Sequence, residues 1–176
     1  MMYSDKYQYV YIAPAKTGSN SIRKFLKDYY DGQVLLGDHD CCISDSSDGK
    51  YKSYFKFMSI RNIYDRCISF WNNFAKEEQT FSEFMMSLIY KNPLYCCAGR
   101  GELLPEFKSL YYMKKKSGAN HFVRLETIEK DLECLPFIDR QVEIDWLCKT
   151  KNKEDIILDC EQMKLVDIYE GAICAD

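Results

Sequence analysis

Residues 14–21 read Pro-Ala-Lys-Thr-Gly-Ser-Asn-Ser, one cation among small and hydroxyl-bearing side chains. Before them lies Tyr7–Ile12, a short aromatic and β-branched run that reads as a strand buried on both faces. After them, Ile22, Phe25, Leu26 and Tyr29 recur at the spacing of one helix face. A turn between a strand and a helix start gathers backbone N–H groups and the positive end of the helix dipole, so it suits an anion. Gly18, Ser19 and Ser21 are small enough for the backbone to close on a phosphate. Lys16 adds a full charge, and the Thr17, Ser19 and Ser21 hydroxyls add donors. The competing reading is an ordinary polar turn.

A second group follows in Arg61-Asn62-Ile63-Tyr64-Asp65-Arg66-Cys67-Ile68-Ser69. Arg61 closes a predicted strand, Tyr54–Ile60, and Ser69 falls two turns into the next helix. Ligands of parallel sheets bind at the carboxyl ends of strands, and an arginine fork with a hydroxyl suits a terminal phosphate monoester. The alternative is that Arg61 and Arg66 pair with carboxylates such as Asp65 and that Ser69 is merely small. The nucleoside-triphosphate loop GxxxxGK[ST] is not matched, because Ala15 precedes the lysine and Val10 stands five positions earlier. The aspartate that would hold Mg²⁺ is also missing, since the Tyr54–Ile60 strand ends Ser59-Ile60-Arg61-Asn62.

The elements that must position these groups alternate between strand and helix. Asp31-Gly32 ends the first helix, with Gly32 suited to a left-handed cap. Gln33–Leu36 reads as a second strand and Gly37-Asp38-His39-Asp40 as the loop beyond it. Asn62 caps one helix, with Asp65 as the reciprocal acid, and Tyr64, Cys67, Ile68 and Trp71 form its apolar stripe. Thr80 with Glu83 forms a second capping box, and Phe81, Phe84, Met85 and Leu88 face inward. Leu103, Phe107, Leu110 and Tyr111 mark a helix that ends at Lys114-Lys115-Lys116 and Gly118. His121–Leu125 is a strand, Ile128–Leu135 a helix stopped by Pro136, and 139–170 is helical in pattern. The alternation predicts an α/β fold, a central parallel sheet covered on both sides in three α/β/α layers, as one domain over 1–176.

Composition narrows the classes of function. The chain has 176 residues, with 24 Lys+Arg against 27 Asp+Glu for a formal charge of −3, which argues against general nucleic-acid binding. No apolar run approaches the roughly 20 residues of a membrane span, and MMYSDKYQYV lacks a signal-peptide pattern, so a cytoplasmic protein without membrane attachment is expected. Nine cysteines without CxxC spacing read as free thiols in a reducing compartment rather than a zinc site.

Taken together, PAKTGSNS and FKFMSIRNIYDRCISFWN resemble the motifs of the sulfotransferase family, nearest its carbohydrate-type branch. Phe122-Val123-Arg124-Leu125-Glu126, continuing to Asp131, is similar to a third family feature, and the resemblance spans about residues 9–132. It implies a phosphate-loop-like architecture and 3′-phosphoadenosine-5′-phosphosulfate (PAPS) as sulfuryl donor, leaving adenosine 3′,5′-bisphosphate (PAP). It further implies that Lys16, Thr17, Gly18, Ser19, Asn20 and Ser21 hold the 5′-phosphosulfate and that Arg61 and Ser69 bind the 3′-phosphate. Three positions depart from the family pattern: Ile63 replaces a proline, Asn20 a common Thr or Gly, and Leu125 an aromatic.

Sulfuryl transfer to a hydroxyl or amine acceptor, a carbohydrate among them, is then the expected reaction, with no metal expected. Lys16 would stabilise charge growing on the bridging oxygen. His39 is the expected base, with Asp38 and Asp40 as alternatives, and Glu126 braces the first loop. Residues 76–120 are expected to line the acceptor cleft, where Phe81, Tyr90 and Tyr95 could stack on a sugar or phenol. Two other readings stand beside this one. The chain could be a PAPS- or PAP-binding module without efficient catalysis, or, against the missing glycine and aspartate, a phosphate-loop kinase.

Overall fold

The structure is a computed structural model that describes residues 1–35, 49–90, 110–147 and 156–172. The chain divides into two compact units, one formed by 1–61 and 113–150, the other by 62–112 and 151–176.

Unit 1 is built on a five-stranded sheet. Its strands are β1 (Met2–Ser4), β2 (Tyr9–Ile12), β3 (Gln33–Val34), β4 (Phe55–Ile60) and β5 (His121–Arg124), in the order β3-β1-β2-β4-β5. β2, β4 and β5 are parallel neighbours, with Ile12 beside Met58 and Ser59 beside Val123. β1 pairs antiparallel with both β2 and β3. The sheet is therefore mixed rather than parallel throughout: β1 alone runs against the other four. The reason is the tight connection at residues 5–8, where Gln8 adopts a left-handed φ of 50° and folds β1 back as a hairpin onto β2.

Every residue of β2 is fully buried, as its unbroken apolar sequence requires. Tyr9 and Tyr11 face one side with Phe57, and the Tyr11 and Phe57 rings stack at 4.9 Å. Over them pack Ile22, Phe25 and Leu26 of α1 (Ser19–Tyr29) and Ile128 and Leu132 of α5 (Ile128–Glu133). Val10, Ile12 and Met58, on the opposite face, are also buried. At the end of α1 the left-handed residue is Asp31, at φ 51°, not Gly32. Gly32 is required for a different reason: a Cβ there would meet Met2 Cε at 2.8 Å and the Leu26 carbonyl at 3.0 Å.

Residues 139–147 form no helix. Val142 and Ile144 are buried while Gln141, Glu143 and Asp145 are exposed, the period of a strand rather than a helix. The Val142 and Ile144 N–H groups donate to the carboxylates of Glu133 and Glu129, at 3.0 and 3.2 Å. Those glutamates are one turn apart on α5, a spacing close to that of alternate strand residues, so the helix presents acceptors where a neighbouring strand would.

Unit 2 is helical. It contains α2 (Ile63–Phe74), α3 (Phe81–Ile89) and α6 (Cys160–Ala172); α4 (Leu110–Ser117) begins in it and ends in unit 1. Asn62 Oδ1 caps α2 by accepting the Tyr64 and Asp65 N–H groups, and Thr80 with Glu83 caps α3 reciprocally. Asp159 and Gln162 exchange the same bonds at the start of α6. The buried face of α2 carries Arg66 beside Cys67 and Phe70. The Arg66 guanidinium lies 4.7 Å over the Phe70 ring and 3.3 Å from Glu170 of α6, whose other oxygen accepts the Leu110 N–H. Among the described residues no helix is long and apolar enough to cross a membrane.

Candidate functional site

β2 and β4 deliver the two chemistry-bearing stretches to one edge of the sheet. Ile12 and Met58 are register partners on parallel strands, so Ala13 onward and Ser59 onward leave side by side. The guanidinium of Arg61 reaches back to the turn, where its Nη1 donates to the Lys16 carbonyl at 3.4 Å. Lys16 and Arg61 are both half-buried.

Within the turn, Lys16 and Gly18 adopt left-handed φ angles of 65° and 75°, with Thr17 between them at negative φ. Residues that alternate in φ sign are the backbone from which anion nests are built, and Gly18, with ψ 15°, lies in the left-handed region. Gly18 is the N-cap of α1 and brings no side-chain acceptor to the helix start; its carbonyl accepts the Ser21 and Ile22 N–H groups. A Cβ on Gly18 would lie 2.5 Å from Leu125 Cδ1, so the turn sits tightly against the residues following β5. Among them, Glu126 is exposed.

The Thr17 side chain points away from the turn and into the protein. Its Oγ1 lies 2.8 Å from the Pro14 carbonyl and 2.6 Å from Ser59 Oγ, which in turn lies 2.7 Å from Tyr11 OH. A carbonyl can only accept, so Thr17 donates to Pro14. Ser59 must then donate to Thr17, and Tyr11 to Ser59. Thr17, Ser59 and Tyr11 are all fully buried, and burial pushes the Tyr11 phenol well above its ordinary value, keeping it a donor.

The remaining expected site residues take several positions. Asn20 is exposed, while Ser19 and Ser21 are buried, and Ser21 Oγ accepts the Leu147 N–H at 3.2 Å. That bond brings the end of the 139–147 segment to the first turn of α1, a neighbour the sequence reading did not anticipate. The alternation Gln141-Val142-Glu143-Ile144-Asp145 is the signal that could have revealed it. Ser69 belongs to unit 2, half-buried on α2, with its carbonyl accepting Asn73 Nδ2. His39, Asp38 and Asp40 lie outside the described residues, as does Tyr95. β3, which precedes them, runs in the same direction as β2. Phe81 is buried as a core residue of unit 2, and Tyr90 is exposed just beyond α3. Burial pushes the Cys67 thiol up to about 12, so it serves as a small core residue. Comparison with protein-family models, with curated proteins and with solved structures gives no match.

Proposed function

We propose that this chain binds a doubly phosphorylated adenosine at the carboxyl edge of β2 and β4, in a phosphate-loop-like α/β/α architecture, and transfers a sulfuryl group from PAPS to an acceptor hydroxyl or amine. The observation that carries the reading is the meeting of Arg61 with the Lys16 carbonyl across adjacent parallel strands. Two stretches that resemble the sulfotransferase motifs, 45 residues apart (61 − 16), thus supply one edge with a nest of N–H groups, an ammonium and a guanidinium. The donor set fits the group: N–H donors and Lys16 suit a phosphosulfate, and a guanidinium suits a phosphate monoester.

PAPS supplies an activated sulfuryl group, whose S–O bond to phosphate breaks as a bond to the acceptor oxygen or nitrogen forms. Lys16 and the Gly18 and Ser19 N–H groups stabilise the negative charge that grows on the departing phosphate oxygen. Arg61 anchors the 3′-phosphate and so orients the nucleotide. His39 takes the acceptor proton. The Thr17 hydroxyl, committed to Pro14 and Ser59, is withdrawn from the phosphosulfate expected of it and equally from the Mg²⁺ of a phosphate-loop kinase.

Thermal unfolding with adenosine 3′,5′-bisphosphate, and separately with ATP and Mg²⁺, tests the proposal. The bisphosphate should raise Tm without Mg²⁺, and ATP with Mg²⁺ should do little. Transfer of label from PAPS to a panel of glycans and phenols then separates an enzyme from a binding module. A response to ATP with Mg²⁺ alone would overturn the reading.

A further inference from the structure

We propose that Tyr11 and Ser59 are positioning residues of the anion site, acting through Thr17 as a one-way hydroxyl relay that holds the Lys16 turn in its left-handed form. The inference rests on the anion-site reading of residues 16–21.

A lysine at φ 65° has no glycine's freedom, and such a conformation persists only where surrounding contacts over-determine it. The relay provides those contacts. Thr17 follows Lys16 directly, and its side chain pins the turn at two points: to Pro14 on the near side, and to Ser59 on the neighbouring strand. Tyr11, on β2, completes the chain by satisfying Ser59. The donor order leaves no freedom to reverse, because it is fixed at one end by a carbonyl and at the other by a buried phenol. All three side chains are sealed from water, so none can exchange a lost partner for solvent. The relay therefore joins β2, β4 and the turn at the point where Arg61 also meets the Lys16 carbonyl, and it sets where the Thr17, Gly18 and Ser19 N–H groups converge.

A serial relay makes a prediction that independent packing does not. Removing Ser59 strands the Tyr11 hydroxyl without an acceptor, so a further loss of that hydroxyl should do no more harm. The test uses Ser59→Ala, Tyr11→Phe and the double variant, with two measurements on the full chain: hydrogen exchange of individual amides, and bisphosphate affinity. Ser59→Ala is expected to speed exchange at Ser21 and Ile22, whose N–H groups bond the Gly18 carbonyl, about tenfold more than at Val10 and Ile12, and to weaken bisphosphate binding about tenfold, the effect of one lost buried hydrogen bond. Tyr11→Phe alone should shift both in the same direction by less. Added to Ser59→Ala, it should leave both unchanged or partly restored. Effects that simply add, or exchange that rises equally through β2 and the turn, would overturn the relay. If the unaltered protein ignores the bisphosphate while the exchange pattern appears, the nucleotide reading falls and the relay stands. Tyr11→Phe removes a single oxygen, so it keeps the test available if Ser59→Ala fails to fold.

Discussion

Gly18→Ala separates two costs that meet at the candidate site. The first is conformational: φ is 75° at Gly18, and placing an alanine in the left-handed region costs about 1–2 kcal/mol. The second is steric. The new methyl would lie 2.5 Å from Leu125 Cδ1, well inside contact distance, whereas Ile128 Cδ1 at 3.7 Å is an ordinary neighbour. Leu125 is half-buried and can swing aside, so the overpacking should cost about 1–2 kcal/mol, toward the lower end for crowded cores. The single variant is thus expected to lose about 2–4 kcal/mol. In a Leu125→Ala background the steric part disappears, and the same substitution should cost only about 1–2 kcal/mol. Urea unfolding followed by circular dichroism, with midpoints compared at a common slope, reads the difference. Equal costs in the two backgrounds would refute the close packing of Leu125 on the turn. A cost below about 0.5 kcal/mol in the unaltered background would refute the left-handed backbone as well.

Further outcomes are expected elsewhere. Arg61→Ala should weaken bisphosphate binding by about 2–4 kcal/mol in a calorimetric titration, the loss of a charge-assisted contact, and Lys16→Ala should lower kcat more than bisphosphate affinity. Arg66→Met leaves the Glu170 carboxylate buried without its cation and should cost about 3–5 kcal/mol near neutral pH by urea unfolding. Burial already raises the Glu170 carboxyl above its ordinary value, so the penalty should shrink as pH falls and the group takes up a proton. Asp131 behaves oppositely: hydrogen bonds from Arg124 hold its carboxyl down at about 2. Its stabilisation is complete above the unfolded value of 3.8 and is lost as pH falls toward 2. Asp131→Asn should therefore be less stable than the unaltered protein by about 1–2 kcal/mol at pH 7, allowing for the exposed arginine, and the two should converge near pH 2.

Much of the fold was legible because its signals are local. The four apolar residues of β2, the stripe Ile22, Phe25, Leu26, the Asn62 cap and the Thr80–Glu83 capping box each show their structure within a few residues. The mixed sheet was not legible, since β1 is three residues long and its pairing depends on a left-handed Gln8 that carries no sequence mark. Among the described residues the helical pattern over 139–170 holds only from Cys160; at 139–147 the alternation has no strand beside it, since the Val142 and Ile144 N–H groups find their acceptors on Glu133 and Glu129. For Arg66 the sequence offers the neighbouring Asp65 as a carboxylate partner. Its ion partner, Glu170, is 104 residues further on, beyond the reach of any spacing rule.

The sequence by itself determined which residue types could grip an anion and which elements flank them, because composition, periodicity and caps act over one or two turns of chain. Only the tertiary structure decided that Arg61 meets the Lys16 turn, that Thr17 faces inward onto Ser59 and Tyr11, and that Leu147 reaches Ser21. Those contacts depend on strand order and register, which the burial of whole sheet faces selects and which no short window of sequence contains.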